Sequence, residues 1–112
     1  MTNQNLPEKT CSIERLVTIK EDVKKVLEGK KTATRRNGVY AYPGEVLLLE
    51  GQEVKVDSLY TQTLGEMTDE HAAQEGFATV EEYKESILAI HPKMPWLPQI
   101  RVWVHEFSLV QK

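Results

Sequence analysis

Hydrophobic positions recur at helical spacing near the start of the chain. Val23, Val26 and Leu27 fall on one face of a helix over Glu21–Glu28, and Gly29 follows where a C-cap favours a left-handed residue. Thr68 is placed to cap a second helix through Glu75 that ends at Gly76. Thr79 and Glu82 form a capping-box pattern for a third helix through Ile90, which His91-Pro92 stops.

Between these helices, alternating and β-branched runs predict strands bounded by turn signals. Asn37-Gly38 and Tyr42-Pro43-Gly44 are turn signals, and Gly51-Gln52 is a hairpin tip. Pro95 to Pro98, with Trp96 between them, form a rigid aromatic loop. We predict strands at Arg15–Ile19, Lys30–Arg36, Glu45–Glu50, Glu53–Thr61 and Ile100–Leu109.

The order of these elements predicts an α+β fold. The first strand connection is too short for a doubly wound parallel sheet, so a small, mostly antiparallel β-barrel flanked by short helices fits better. A chain of 112 residues has material for one core. We expect a flexible N-terminal tail over residues 1–11 and a single domain over 12–112.

Composition places the chain among ordinary globular proteins. Hydrophobic residues make up 40% and charged residues 28%, and the longest aliphatic run, Val46–Leu49, is far shorter than the roughly 20 residues of a membrane span. The start, Met1 to Lys9, lacks a secretory pattern, and the single Cys11 has no intrachain partner. These features predict a cytoplasmic protein without a membrane partner.

Charge is unevenly distributed along the chain. The net charge of −3 disfavours a polybasic nucleic-acid binder. However, Lys20–Arg36 holds seven basic residues against three acids, and Glu66–Glu85 holds seven acids against Lys84 alone. Two interpretations remain open: two solvated faces of opposite sign, or a basic strip for an anionic ligand beside an acidic helix that supplies a carboxylate.

Motifs for several common chemistries are missing. His71, His91 and His105 are far apart, and only His71 and Glu75 have helical i, i+4 spacing, so we expect no metal. No nucleotide-binding or nucleophile-elbow motif occurs, so we expect no cofactor. Cys11 has no activating neighbour in the sequence.

Two segments carry candidate chemistry. In a regular strand Lys31 and Thr34 would point to opposite faces, whereas a coil after Gly29 would let the amine and the hydroxyl converge in one cleft. Glu75 falls in the last turn of its helix, where the dipole disfavours a negative charge. It is either an ordinary surface acid or a functional carboxylate.

These two segments resemble a known family. Gly29-Lys30-Lys31-Thr32-Ala33-Thr34-Arg35-Arg36 resembles the G-x-K-x-x-T-x-R signature of the ASCH domain, a barrel related to the PUA fold. His71-Ala72-Ala73-Gln74-Glu75-Gly76-Phe77 resembles the helix of that family, and Val102-Trp103-Val104-His105-Glu106-Phe107 its last strand. The resemblance runs from about Arg15 to Val110.

Within this family, the small bacterial amidohydrolases that deacetylate 4-acetylcytidine are similar in length and motif order. The resemblance implies that Lys31, Thr34 and Glu75 form the active site. The chain departs from those enzymes in its Trp96 loop and its longer N-terminal tail. Other relatives are thought to bind RNA or to act as ribonucleases.

The implied reaction needs an activated hydroxyl. Thr34 would be the nucleophile and Lys31 its base, which requires a pKa lowered from about 10.4 by burial or by neighbouring cations. Glu75 either is protonated and donates to the leaving amine or shares one proton with Lys31. Arg36 and the backbone near Gly29 are candidates for oxyanion stabilisation, and Trp96 for substrate binding.

The alternative function is a non-catalytic RNA-binding module or a ribonuclease-like RNA-processing domain. It is suggested by the basic segment and by Tyr40, Tyr42 and Trp96, which could stack bases. The net negative charge favours a small nucleoside as the ligand over a long strand. The oligomeric state is left open.

Overall fold

A computed structural model describes residues 8–90, 92–93 and 96–110. Four strands form one curled antiparallel sheet, half of a barrel, in the order β1-β4-β3-β2. The strands are β1 (Ala33–Arg36), β2 (Val46–Leu49), β3 (Gln52–Thr63) and β4 (Arg101–Leu109), and the helices are α1 (Lys20–Leu27), α2 (Asp69–Gln74) and α3 (Val80–Ile90). The α+β class and the antiparallel arrangement are confirmed.

The helix boundaries follow the predicted capping signals. Glu28 caps the C-terminus of α1, and Gly29 follows with a φ of 78°. The Thr68 hydroxyl accepts from the His71 amide at the start of α2, and Gly76, at a φ of 89°, follows its end. The Glu82 amide donates to the Thr79 hydroxyl at 3.2 Å, as the capping pattern of α3 predicts. The predicted helix stop at His91 lies outside the described residues.

The predicted hairpin and final strand are also confirmed. Strands β2 and β3 turn at Glu50-Gly51, one residue earlier than predicted, with φ values of 49° and 86°. Strand β4 pairs with β3 on one side and with β1 on the other, and a bulge lies between Val56 and Ser58. The order places β1 at one edge of the sheet, beside β4.

The predicted first strand, Arg15–Ile19, is wrong. Ile13–Arg15 forms a single 3-10 turn, and Leu16 and Val17 are 1% and 4% exposed without belonging to the sheet. Their apolar character reflects packing against distant residues, which a local β pattern does not distinguish from strand pairing. Just before them, the Thr10 and Cys11 amides donate to the Val39 carbonyl, and residues 1–7 lie outside the described range.

Two hydrophobic clusters fill the interior. The aliphatic cluster packs under α1 and across β2–β4, and consists of Leu16, Val17, Val26, Ala41, Leu47, Leu49, Val54, Val56 and Phe107. The second cluster, under α2 and α3, consists of Leu64, Met67, Ala72, Tyr83 and Val102, with Phe77 and Trp96 packed against it. None of the helices in the described ranges has the length and hydrophobicity needed to cross a membrane.

Candidate functional site

Lys31 reaches the interior because the chain coils before β1 begins. The amides of Lys30 and Lys31 both donate to the Lys25 carbonyl, at 2.8 and 3.1 Å, so the chain turns back toward α1 directly after the helix ends. Strand β1 starts only at Ala33, so the alternation of a regular strand does not apply to Lys31. The structure therefore settles the alternative that the sequence left open, in favour of the coil.

Glu75 lies at the C-cap of α2 and is 2% exposed, so it is not a surface acid. The Thr32 amide donates to the Gln74 carbonyl at 2.7 Å, which joins the Lys31 segment to the Glu75 segment through the main chain. Lys31 Nζ lies 2.5 Å from Glu75 Oε1. The lysine and the glutamate, 44 positions apart, thus form a buried ion pair.

Arg35 completes this ion pair from the other side. Its Nη1 donates to Glu75 Oε2 at 2.8 Å, so the carboxylate lies between two cations. The same guanidinium donates from Nε to Gln62 Oε1 at 2.9 Å and from Nη2 to Gln74 Oε1 at 3.2 Å. Because buried ions are costly unless paired, this set of contacts fixes the Glu75 carboxylate in one orientation.

Thr34 shares a cavity with Lys31 and Glu75. The cavity measures about 60 Å³, and Arg35 and Arg36 also line it. Thr34 is 4% exposed, and its hydroxyl forms no hydrogen bond with residues in the described ranges. The hydroxyl is therefore available to a bound molecule. We call Lys31, Thr34, Arg35 and Glu75 the ionic pocket.

A larger cavity of about 380 Å³ adjoins the ionic pocket. Its lining combines the polar or aromatic side chains of Arg36, Tyr40 and Trp96 with the aliphatic side chains of Leu64, Ile100 and Val102. Cavities of this size that combine apolar walls with a few polar groups are typical of small-molecule sites.

Arg36 and Trp96 are both held in place at the larger cavity. Arg36 Nη2 donates to the Leu16 carbonyl at 2.5 Å, and the guanidinium lies 5.5 Å from the Tyr40 ring centre. Its buried Nε has no partner among the described residues. The Trp96 ring packs edge-on against Tyr83 at 6.0 Å. In the predicted Pro95–Pro98 loop, Pro95 lies outside the described residues.

Gly29 does not reach either cavity. Its amide donates to the Val26 carbonyl at 3.0 Å, and the next three amides are also bonded to carbonyls. The structure thus brings Lys31, Thr34, Glu75 and Arg36 together and places Trp96 in the adjoining cavity, but it leaves Gly29 outside. Its left-handed conformation serves the end of α1.

Two titratable groups beside the site have shifted pKa values. Burial, together with the positive charge of Arg36, lowers the pKa of His105 to about 4, and its Nε2 accepts from the Tyr40 amide at 3.1 Å. Burial also raises the pKa of Glu106, but hydrogen bonds from Ser58, Tyr60 and Gln74 outweigh this effect and the net pKa is lowered. Both groups support the sheet and line neither cavity.

Sequence reasoning missed Arg35 and Tyr83 as site residues. Arg35 follows Thr34 in the motif, and a charged residue inside a short strand was the available signal. Tyr83 falls at a core position of α3, where its pattern indicates only packing. Within the described ranges, no three His, Cys, Asp or Glu side chains lie close enough together to hold a metal ion.

The fold is similar to the crystal structure of an ASCH domain from Lactobacillus crispatus JV V101, with a TM-score of 0.67 and 11% sequence identity over 80% of this chain and 70% of that one. This chain has the ASCH fold. The crystal structure of a DUF984 protein from Enterococcus faecalis V583 is also similar to this chain. The TM-score is 0.58, with 17% sequence identity over 79% of this chain and 66% of that one. No family model matches the sequence, and no curated protein does.

Proposed function

We propose that this chain is an amidohydrolase that removes an acyl group from a modified pyrimidine nucleoside such as 4-acetylcytidine. The observation that carries the proposal is the convergence of Lys31, Thr34 and Glu75 on one small cavity next to a nucleoside-sized one. A hydroxyl without a partner, a buried amine and a buried carboxylate are the groups that metal-independent acyl transfer requires.

The first step moves protons within the ionic pocket. Glu75 takes a proton from the Lys31 ammonium along their 2.5 Å contact, which leaves a neutral amine. The Thr34 hydroxyl then attacks the acyl carbon and gives its proton to Lys31. Because the Arg36 guanidinium lines both cavities, we assign it to the developing oxyanion.

Collapse of the tetrahedral intermediate breaks the amide bond. The leaving 4-amino nitrogen takes the proton held by Glu75, so cytidine departs neutral and the acyl group remains on Thr34. Water then attacks the ester and gives a proton to the carboxylate of Glu75. Glu75 passes this proton to the departing Thr34 oxygen, which yields the free carboxylic acid and restores the hydroxyl. Arg35 keeps the carboxylate turned toward Lys31 through its hydrogen bond to Glu75 Oε2.

RNA binding is the second candidate. Arg36, Tyr40 and Trp96 line a cavity in which an unstacked base could lie. The basic segment supports it less, because Lys31 and Arg35 are buried in the ionic pocket and only Lys20, Lys24 and Lys30 are exposed. This candidate predicts RNA affinity that falls steeply with salt and with Arg36→Ala.

Hydrolysis of 4-acetylcytidine tests the proposal directly. The pure protein should release cytidine and acetate, and Thr34→Ala should lower kcat/KM at least about 10³-fold because the nucleophile is lost. Lys31→Met should have a similar effect. Lys30→Met is the matched control, because the Lys30 side chain is 70% exposed and pairs with Glu28 at the surface. Intact substrate after prolonged incubation with wild type contradicts the proposal.

A further inference from the structure

Tyr83 lies where the two cavities meet. It is 4% exposed, and its ring packs edge-on against Phe77 at 5.7 Å and against Trp96 at 6.0 Å. Among the described residues, those that line both cavities are Arg35, Arg36, Tyr83 and Ile87. The packed ring therefore holds the phenol in a fixed position at the junction.

The Tyr83 hydroxyl has no hydrogen-bond partner in the described part of the chain. The fully enclosed side-chain atoms that lack a partner are Arg36 Nε and His105 Nδ1 among the described residues, so the Tyr83 oxygen is open to the cavity space. The neighbouring Arg35 is already held in place, because three of its five N–H groups donate to Gln62, Glu75 and Gln74. The Tyr83 hydroxyl is thus a neutral polar group at the junction that can still form a hydrogen bond.

Burial and the negative charge of Glu75 both raise the pKa of Tyr83. The phenol consequently stays protonated at any pH at which the enzyme would work, and it can donate a hydrogen bond. A cytosine ring entering the larger cavity presents N3 and the 2-carbonyl as acceptors, next to the acylated amine that must reach the ionic pocket.

We propose that the Tyr83 hydroxyl donates a hydrogen bond to this acceptor edge of the pyrimidine, which makes Tyr83 a specificity-determining residue of the site. The inference rests on the proposed function, since it names how that substrate is held. The ring of Tyr83 supplies packing and the hydroxyl supplies recognition, so the two roles can be separated by one substitution.

Tyr83→Phe keeps the ring and removes the hydroxyl. We expect kcat/KM for 4-acetylcytidine and affinity for cytidine each to fall about ten-fold, as for the loss of one hydrogen bond, with the thermal midpoint unchanged. Tyr60→Phe is the control, because the Tyr60 hydroxyl donates to Glu106 and lines neither cavity. Both quantities should stay within two-fold of wild type in that variant.

Isothermal titration with cytidine separates this inference from the proposed function. If wild type binds cytidine but does not hydrolyse 4-acetylcytidine, and Tyr83→Phe weakens binding, the activity is wrong and the role of Tyr83 stands. If wild type is active and Tyr83→Phe binds cytidine as wild type does, the role of Tyr83 is overturned, whatever happens to hydrolysis. If wild type neither binds cytidine nor hydrolyses the substrate, both are overturned.

Discussion

The aliphatic cluster and the ionic pocket are equally buried, but the first is apolar and the second is charged. Val26 in the first and Glu75 in the second are each 2% exposed. Apolar burial of this kind stabilises a fold by about 25 cal/mol per Å². A buried ion pair, in contrast, is often no more stabilising than well-packed apolar residues of similar volume. The aliphatic cluster therefore accounts for stability, whereas the ionic pocket is the region to which we assign the proposed reaction.

Glu75→Gln should produce the largest effect, because it leaves the buried Lys31 and Arg35 cations without their shared anion. We expect it to lower the free energy of unfolding by about 4 kcal/mol and to abolish hydrolysis. Chemical denaturation measures the first effect and cytidine release the second. Glu85→Gln, at an exposed position of α3, is the control. A loss of less than about 1 kcal/mol would show that the pocket does not depend on its anion.

Leu49→Ala tests the aliphatic cluster with a smaller expected effect. Leu49 is 7% exposed, and its neighbour Leu48 in the same strand is 64% exposed, so the two substitutions form a matched pair. Leu49→Ala should cost about 3 kcal/mol through the cavity it leaves, and Leu48→Ala less than about 0.5 kcal/mol. Both variants should keep kcat/KM within two-fold while folded. A large loss of activity in folded Leu49→Ala would break the division between the two regions.

His105 lies between the two regions, and its titration should make the stability of the protein depend on pH. It pairs across the strands with Thr34, and its ring accepts from Tyr40, which packs against the aliphatic cluster. Its folded pKa of about 4 lies below the unfolded value near 6.5, so the unfolded chain binds more protons between them. Stability should therefore be fully present above pH 6.5 and fall by up to about 3 kcal/mol as the pH drops to 4.

His105→Gln supplies the comparison for this pH dependence, because glutamine can still accept from the Tyr40 amide but does not titrate. Denaturation curves of both proteins between pH 4 and 7 should diverge, with the variant losing less stability on acidification. Parallel curves would mean that the other carboxyl groups, rather than His105, cause the loss.

Much of the fold could be predicted because its signals are local. Gly29, Thr68 and Gly76 mark helix ends, and the runs on either side of Gly51 mark the hairpin. The segment Arg15–Ile19 failed for the opposite reason. Leu16 and Val17 pack against α1 and against strands far away in the sequence. A short stretch of sequence does not show such contacts, so the run resembled a strand.

The sequence named three residues that the structure brings together, but it carried no sign of their ion pairing. Motif position identified Lys31, Thr34 and Glu75, and the coil before Ala33 decided their convergence. Sequence spacing carried no sign that Arg35 would take the second oxygen of Glu75, because that contact depends on how α2 crosses the sheet. The sequence did not single out Tyr83, because the spacing of a helix predicts that this position is buried but not whether its hydroxyl faces a cavity.

The main-chain bond from the Thr32 amide to the Gln74 carbonyl has a consequence for divergence among proteins of this architecture. A peptide link is the same whichever amino acid supplies it, so the spacing of the two reactive segments is insulated from mutation of their neighbours. Related proteins can therefore differ at most other positions, and in their substrates, while the side chains at the positions of Lys31 and Glu75 remain in contact.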